Sequence, residues 1–225
     1  MREIVLDTET TGLDPLKGDR VVEIGCVELN NHIATGMIFQ AYLNPERDMP
    51  SEAAMVHGLT DEFLADKPVF AEKVDDFLAF IGDAPLVIHN ASFDMAFVNA
   101  ELTRCGYKRL PQERATDTVA MARKMFPGAP ASLDALCKRF NVDASGRKIH
   151  GALLDAQLLA EVYLELRGGR QPDLAILSAT GATMEEVQSD AREHRAPRLH
   201  AASADEIAAH EAFLALLKGP LWKRA

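Results

Sequence analysis

The 225 residues are 48% apolar and carry a formal net charge of −10, enough chain for one sizeable domain plus an appendage. No apolar run reaches the roughly 18 residues of a membrane span. The opening Met1-Arg2-Glu3-Ile4-Val5-Leu6 enters a strand-like run at once, which excludes a signal peptide. Cys26, Cys105 and Cys137 show no CxxC spacing and read as reduced thiols in a cytoplasmic protein with no zinc site and no membrane contact. Nearly all of the net negative charge lies before Ser178, so that part repels a nucleic-acid backbone at long range. Work on DNA would then call for bound metal at the site and a partner that delivers the strand.

Residues 4–6 form a short apolar run, read as a buried strand. Residues 21–29 and 33–43 read as a second and a third. Asn30-Asn31-His32 suits a tight hairpin, although no Asn-Gly is present, so the three strands form an antiparallel meander. Pro50-Ser51 opens a short helix to about Val56. Phe70, Val74, Phe77, Leu78 and Ile81 recur at helical spacing. Residues 86–88 are a fourth strand, feeding a helix from about Ser92 to Arg104. A short strand at 115–117 leads into a helix over 119–125, and Ser132 caps a helix to about Phe140. The last helix of the body spans about 152–167 and stops at Gly168-Gly169. A meander followed by strand-helix-strand-helix implies an α/β fold: a mixed five-stranded sheet with helices on both faces.

The body therefore covers residues 1–169. Residues 170–202 shift toward Ala, Ser, Thr, Gly and charge, and read as a flexible linker. Residues 203–225 return to a helix through about Lys218, where Ser203 and Glu206 fit a capping box. Ile207, His210, Phe213, Leu214 and Leu217 share one face of it, and Trp222, the only tryptophan, follows.

Acidic residues at the ends of apolar strands or inside an apolar helix are costly unless a cation joins them. Asp7 and Glu9, in Asp7-Thr8-Glu9-Thr10-Thr11-Gly12, are two apart and so share a strand face. Thr10-Thr11-Gly12 follows as a turn whose amides and hydroxyls can meet a sugar or phosphate. Asp94 sits in the first turn of its helix, where taken singly it reads as a charge complementing the dipole, with Asn90 or Ser92 as the cap. His150 precedes the last helix and Asp155 lies one turn into it; alone, each also reads as a capping residue. Their joint order changes the balance. Four gathered carboxylates repel and take up protons, whereas two Mg²⁺ or Mn²⁺ ions about 3.5–4 Å apart neutralise them and suit in-line attack on a phosphodiester. A histidine such as His150 then takes the proton of the attacking water.

These residues resemble the three motifs of the DEDDh 3′–5′ exonucleases, which share a ribonuclease H-like fold. Val56-His57-Gly58-Leu59-Thr60-Asp61-Glu62-Phe63-Leu64, Ala122-Arg123-Lys124-Met125-Phe126-Pro127-Gly128, Ser132-Leu133-Asp134-Ala135-Leu136-Cys137 and the run 150–163 resemble the proofreading members that serve bacterial replicative polymerases. The resemblance implies that Asp7, Glu9, Asp94 and Asp155 bind the two metals and that His150 is the general base. Glu52 and His57 match positions that contact the terminal nucleotide, though Ser51 capping a helix that holds Glu52 and ends at His57 accounts for them equally. Leu13 and Phe93 wedge or stack on bases, with core packing the plainer role for Phe93. Asp7, Glu9, Thr10, Gly12, Asn90 and Asp155 complete the implied substrate set.

In that family the far end binds the polymerase subunit. Here Ile207, Phe213, Leu214, Leu217 and Trp222 would form the anchor, unless the helix docks on its own body. Gln171-Pro172-Asp173-Leu174-Ala175-Ile176 resembles the Gln-x-x-Leu-x-hydrophobic peptide that docks on sliding clamps, with Ile where Phe or Leu is usual. The implied activity is removal of mispaired 3′ ends of DNA as nucleoside 5′-monophosphates. The alternatives are an RNA-processing exonuclease and a catalytically silent adaptor between polymerase and clamp.

Overall fold

The computed structural model describes residues 1–146, 149–169 and 201–216. The chain divides into two units, Met1–Leu177 and Ser178–Ala225. In the first, β1 (Arg2–Thr10), β2 (Val21–Asn30), β3 (Ile33–Tyr42), β4 (Leu86–Ile88) and β5 (Ala115–Asp117) form one sheet in the order β3-β2-β1-β4-β5. The pairs β1–β2 and β2–β3 are antiparallel, while β1–β4 and β4–β5 are parallel. This is the expected mixed five-stranded sheet, with β1 at its centre.

Side chains on β1 alternate between two cores, as a period of two requires. Ile4 and Leu6 join Ile24, Cys26, Leu86 and Ile88 on one face, under α3 (Phe70–Ile81) and α4 (Ala91–Arg104). Val5 joins Val27, Leu29 and Val87 on the other, under α5 (Thr118–Met125), α6 (Leu133–Phe140) and α7 (Ala152–Leu166). The apolar run 4–6 is unbroken because both faces are covered. Asp7 and Glu9 continue the face of Val5, toward α7. Thr8 continues the face of Leu6, toward α4.

Three local details differ from the sequence reading. Thr10 closes β1 instead of opening a turn, because it pairs with Val21 across a bulge after Glu9. The four-residue helix α2 (Asp61–Leu64) was not anticipated; Thr60 caps it by accepting the Phe63 N–H at 3.3 Å. Helix α4 starts at Ala91, and Asn90 stands at its N-cap position with no side-chain cap bond. The other expectations match closely. α1 spans Ser51–His57. Asn31 and His32 both hold positive φ, 50° and 67°, as a two-residue hairpin turn demands. Ser132 accepts the Ala135 N–H at 3.3 Å to begin α6.

In the second unit α8 (Ala204–Leu216) follows Ser203. The capping box forms: the Ser203 N–H donates to Glu206 Oε2 at 2.8 Å and the Glu206 N–H to Ser203 Oγ at 3.3 Å. On α8, Ile207 and Phe213 are exposed and Leu214 is buried. Leu217 and Trp222 lie outside the described residues, as does the expected linker with Gln171, Leu174 and Ile176, apart from Ala201 and Ala202.

Candidate active site

Strand β1 and helix α7 bring three of the five expected residues into one cluster. Ligand atoms of Glu9, His150 and Asp155 all lie within 4.8 Å of one another, the carboxylates buried and the histidine exposed. His150 Nδ1 is 3.2 Å from Asp155 Oδ2. Asp7 is half-buried on the same strand face as Glu9, opposite Gly25 of β2. Asp94 approaches from the other face: its Oδ1 accepts the Thr8 hydroxyl at 2.7 Å, between the positions of Asp7 and Glu9. Among the described residues, no cluster this tight takes in Asp7 or Asp94.

Asp94 is 3% exposed. Burial pushes its carboxyl up from 3.8 to about 7; hydrogen bonds from Thr8 and the local backbone oppose the shift, and the charge of Asp117 adds to it. Carboxyl groups pushed this way by burial concentrate at functional sites.

Three contacts set α7 against the strands. Gly25 leaves room for the helix start, since a Cβ there would lie 2.3 Å from the Ala152 carbonyl carbon. A glycine within a strand often marks such a close approach. Glu23 Oε2 accepts the Ala152 N–H at 3.1 Å. From the opposite side, the His150 N–H donates to the carbonyl of Val56 in α1 at 3.1 Å. The loop bearing His150 is thereby fastened at both ends of a two-residue span.

Beside the cluster lies a cleft of 350 Å³, a size suited to one nucleotide. Glu9, Thr10, Gly12, Leu13, Glu52, His57 and Phe93 all line it. Leu13 is 84% exposed at its mouth. Phe93 lines the wall while packing on Phe97 at 4.9 Å between ring centroids, so it also serves the core. His57 is buried, and burial lowers its pKa below the usual imidazole range. Its Nδ1 accepts the Leu59 N–H at 3.1 Å, which puts the proton of the neutral ring on Nε2. That buried Nε2 has no hydrogen bond of good geometry among the described residues, although the Thr10 backbone acts on the ring to raise its pKa against burial. Asn90 lines two neighbouring grooves, one with His89, Asp117 and Arg123 and one that shares Leu13 and Phe93 with this cleft.

Sequence reasoning passed over Thr8, Glu23, Gly25 and Asp117. One of them left a clear signal, Gly25 as the only glycine inside the strand run 21–29; Glu23 left a weaker one, since that run also holds Glu28. Thr8 and Asp117 left none, because their roles depend on which segments meet.

Comparison with known proteins places the chain among exonucleases. The RNase_T family model, described as exonuclease, matches residues 4–163. DNA polymerase III subunit epsilon of Rickettsia felis is 60% identical over 174 residues, covering 76% of each chain. The protein of that name in Escherichia coli K12 is 46% identical over 230 residues, covering 96% of this chain and 93% of the relative. Among solved structures, exonuclease X in complex with 5′ overhanging duplex DNA superposes with a TM-score of 0.58 at 25% identity, covering 74% of this chain and 91% of that one. Exonuclease I of E. coli in complex with a dT13 oligonucleotide shares the fold, with a TM-score of 0.66 at 17% identity over 76% of this chain and 42% of that one.

Proposed function

Because the chain belongs to the RNase_T exonuclease family, we infer that it is a 3′–5′ exonuclease that proofreads newly made DNA as a subunit of the bacterial replicative polymerase. The observation that carries this reading is the convergence of Glu9, His150 and Asp155 beside a nucleotide-sized cleft, in a chain so close to DNA polymerase III subunit epsilon.

Exonucleases of this family work with divalent metals, and the residues present fit them. Glu9 and Asp155 are oxygen donors in one cluster, Asp7 shares the strand face of Glu9, and burial makes Asp94 hard to ionise without a cation beside it. Bound by these four carboxylates, a pair of Mg²⁺ or Mn²⁺ ions would make a water more acidic and offset charge on the leaving oxygen. His150, oriented by Asp155, accepts the proton of that water. The water oxygen bonds to phosphorus as the bond from phosphorus to the 3′-oxygen breaks. The 3′-oxygen leaves with the electron pair and takes up a proton. The terminal residue departs as a nucleoside 5′-monophosphate.

The chain's other side chains hold the strand. His57, Glu52 and Leu13 line the same cleft and would meet the terminal nucleotide, with Leu13 separating its base from the neighbouring one. Selection for errors needs no base-reading pocket. A base-pair step carries about 1.4 kcal/mol of stacking, so a mispaired end frays into the cleft about tenfold more often than a paired one. Hydrolysis of mispaired 3′ ends in Mg²⁺ is accordingly expected to run about tenfold faster than hydrolysis of matched ends, and to stop on chelation. Equal rates, chelator-resistant turnover, or a preference for single-stranded RNA would contradict the assignment.

Partner contacts belong to the other end. Residues 203–225 would bind the polymerase catalytic subunit, with Ile207 and Phe213 exposed for it, and 171–176 would dock on the sliding clamp. Two weak contacts on one tether raise effective concentration strongly. A chain ending at Gly169 is expected to degrade single-stranded DNA at the parental rate while losing both partners in pull-down. Retained binding would move these contacts to the body.

A further inference from the structure

We propose that Glu23 is a positioning residue for the exonuclease reaction: from β2 it caps the first turn of α7 and so fixes where His150 and Asp155 meet Glu9. The proposal rests on the exonuclease reading above.

Helix α7 starts without a cap of its own. Gly151 occupies the N-cap position and offers no side-chain bond. The first-turn amides of such a helix need an outside acceptor when they are buried. Glu23 supplies it, with Oε2 at 3.1 Å from the Ala152 nitrogen. Its carboxylate is 2% exposed, and its other oxygen accepts from Gln40 Nε2 at 2.8 Å. Both oxygens are thus occupied, and Glu23 stays out of the Glu9, His150 and Asp155 cluster. A negative group at this end also complements the helix dipole.

Its place in the sheet explains the leverage. Glu23 pairs directly with Glu9 across β1 and β2. The strand that carries a cluster carboxylate is therefore linked through one side chain to the helix that carries another. Ala152 lies two residues after His150 and three before Asp155. The Val56 carbonyl grips the His150 N–H on the other side. With Glu23 gone, the buried Ala152 N–H loses its acceptor, the first turn of α7 loosens, and the Asp155 carboxylate shifts relative to Glu9. A displacement of about 1 Å in such a site costs on the order of 10²-fold in rate. The nucleotide cleft is built from β1, the loop after it, α1 and Phe93, so affinity for DNA is untouched.

The test compares parent, Glu23→Ala and Glu23→Gln at a temperature where circular dichroism shows all three folded. In Glu23→Gln the side-chain carbonyl still accepts the Ala152 N–H, and Gln40 turns its amide to meet the new NH₂. Glu23→Ala is expected to lose about 10²-fold in kcat with KM for single-stranded DNA within twofold, and to need more Mn²⁺ for half-maximal rate. Amide hydrogen exchange at Ala152 in metal-free protein should speed up in Glu23→Ala alone. Glu23→Gln should recover most of the rate and of the protection. The proposal is overturned if folded Glu23→Ala keeps its kcat within threefold, if kcat and KM fall together, or if Glu23→Gln is as impaired as Glu23→Ala. An inactive parent would instead sink the exonuclease reading, while the exchange measurement still reports whether Glu23 holds the helix.

Discussion

Asp94→Asn is expected to melt higher than the parent in EDTA and to release nucleotides about 10³-fold more slowly in Mg²⁺. Both effects come from one buried carboxyl. In the folded, metal-free protein its pKa is pushed up from 3.8 to about 7. Between those values the folded chain keeps a proton that the unfolded chain has lost. Stability from this group therefore falls as pH rises from about 4 to about 7 and stays at its low level above. At pH 8 the full penalty applies, on the order of a few kcal/mol. Asparagine has nearly the same shape, and its carbonyl still accepts the Thr8 hydroxyl, which donates to Asp94 at 2.7 Å. It carries no charge to bury. For a chain of this size the gain is roughly 5–10 °C in melting temperature, seen at pH 8 and shrinking toward pH 4. Metal ligation contributes several kcal/mol at the transition state, hence the 10³-fold loss. Thermal melts of both proteins in EDTA across pH 4–8, with turnover in Mg²⁺, check both halves. A variant that melts lower than the parent at pH 8, or one that stays active, would contradict this account of Asp94.

Gly25→Ala is the second large effect, and it acts through shape alone. The added methyl carbon would meet the backbone of Ala152 and Leu153 at 2.3 Å, well inside contact distance. Neither neighbour is a side-chain tip that can turn away. Helix α7 has to lift from β2, and Asp155 moves with it. Overpacking of this kind costs about 1–3 kcal/mol, so the protein still folds. The catalytic cost is larger, about 10²-fold in kcat, because the carboxylates must meet within a fraction of an ångström. Kinetics on a 3′-labelled oligonucleotide, beside a urea melt, measure the two separately. Parental kcat in Gly25→Ala would show that α7 need not sit this close. Glycine's value here is its lack of a side chain, not a special backbone angle, since Gly25 is absent from the residues with positive φ.

The legible and illegible parts of this site divide along a physical line. The spacing of Asp7 and Glu9 announced a shared strand face, and the structure places both on the side of α7. The apolar runs 4–6, 21–29 and 86–88 became strands because their periodicity is local. Capping at Ser132 and Ser203 was readable for the same reason: cap and amide lie within three residues. The errors arose where partners are distant. Thr10 extends β1 because Val21 pairs with it, and no property of Thr10-Thr11-Gly12 announces that. Asn90 reads as a cap or a substrate contact; its side chain makes no cap bond, its N–H donates to Asp117 Oδ1 at 3.2 Å, and it lines a groove shared with Leu13 and Phe93 of the cleft. Phe93 needed no choice between core and cleft wall, since the ring packs on Phe97 and also lines the cleft.

By itself the sequence determined which acidic residues share a strand face, the order of the strands and helices along the chain, and the periodicities that bury each face. Those properties are local: a side chain's alternation, a helix's repeat and a cap's reach extend only a few residues. The tertiary structure decided how tightly the pieces close. It alone shows that Glu9, His150 and Asp155 come within 4.8 Å and that Asp94 is too buried to ionise readily. It alone shows Glu23 accepting the Ala152 N–H and Gly25 leaving room for the start of α7. Distances between residues more than a hundred positions apart depend on the packing of the whole sheet, and no short stretch of sequence encodes them.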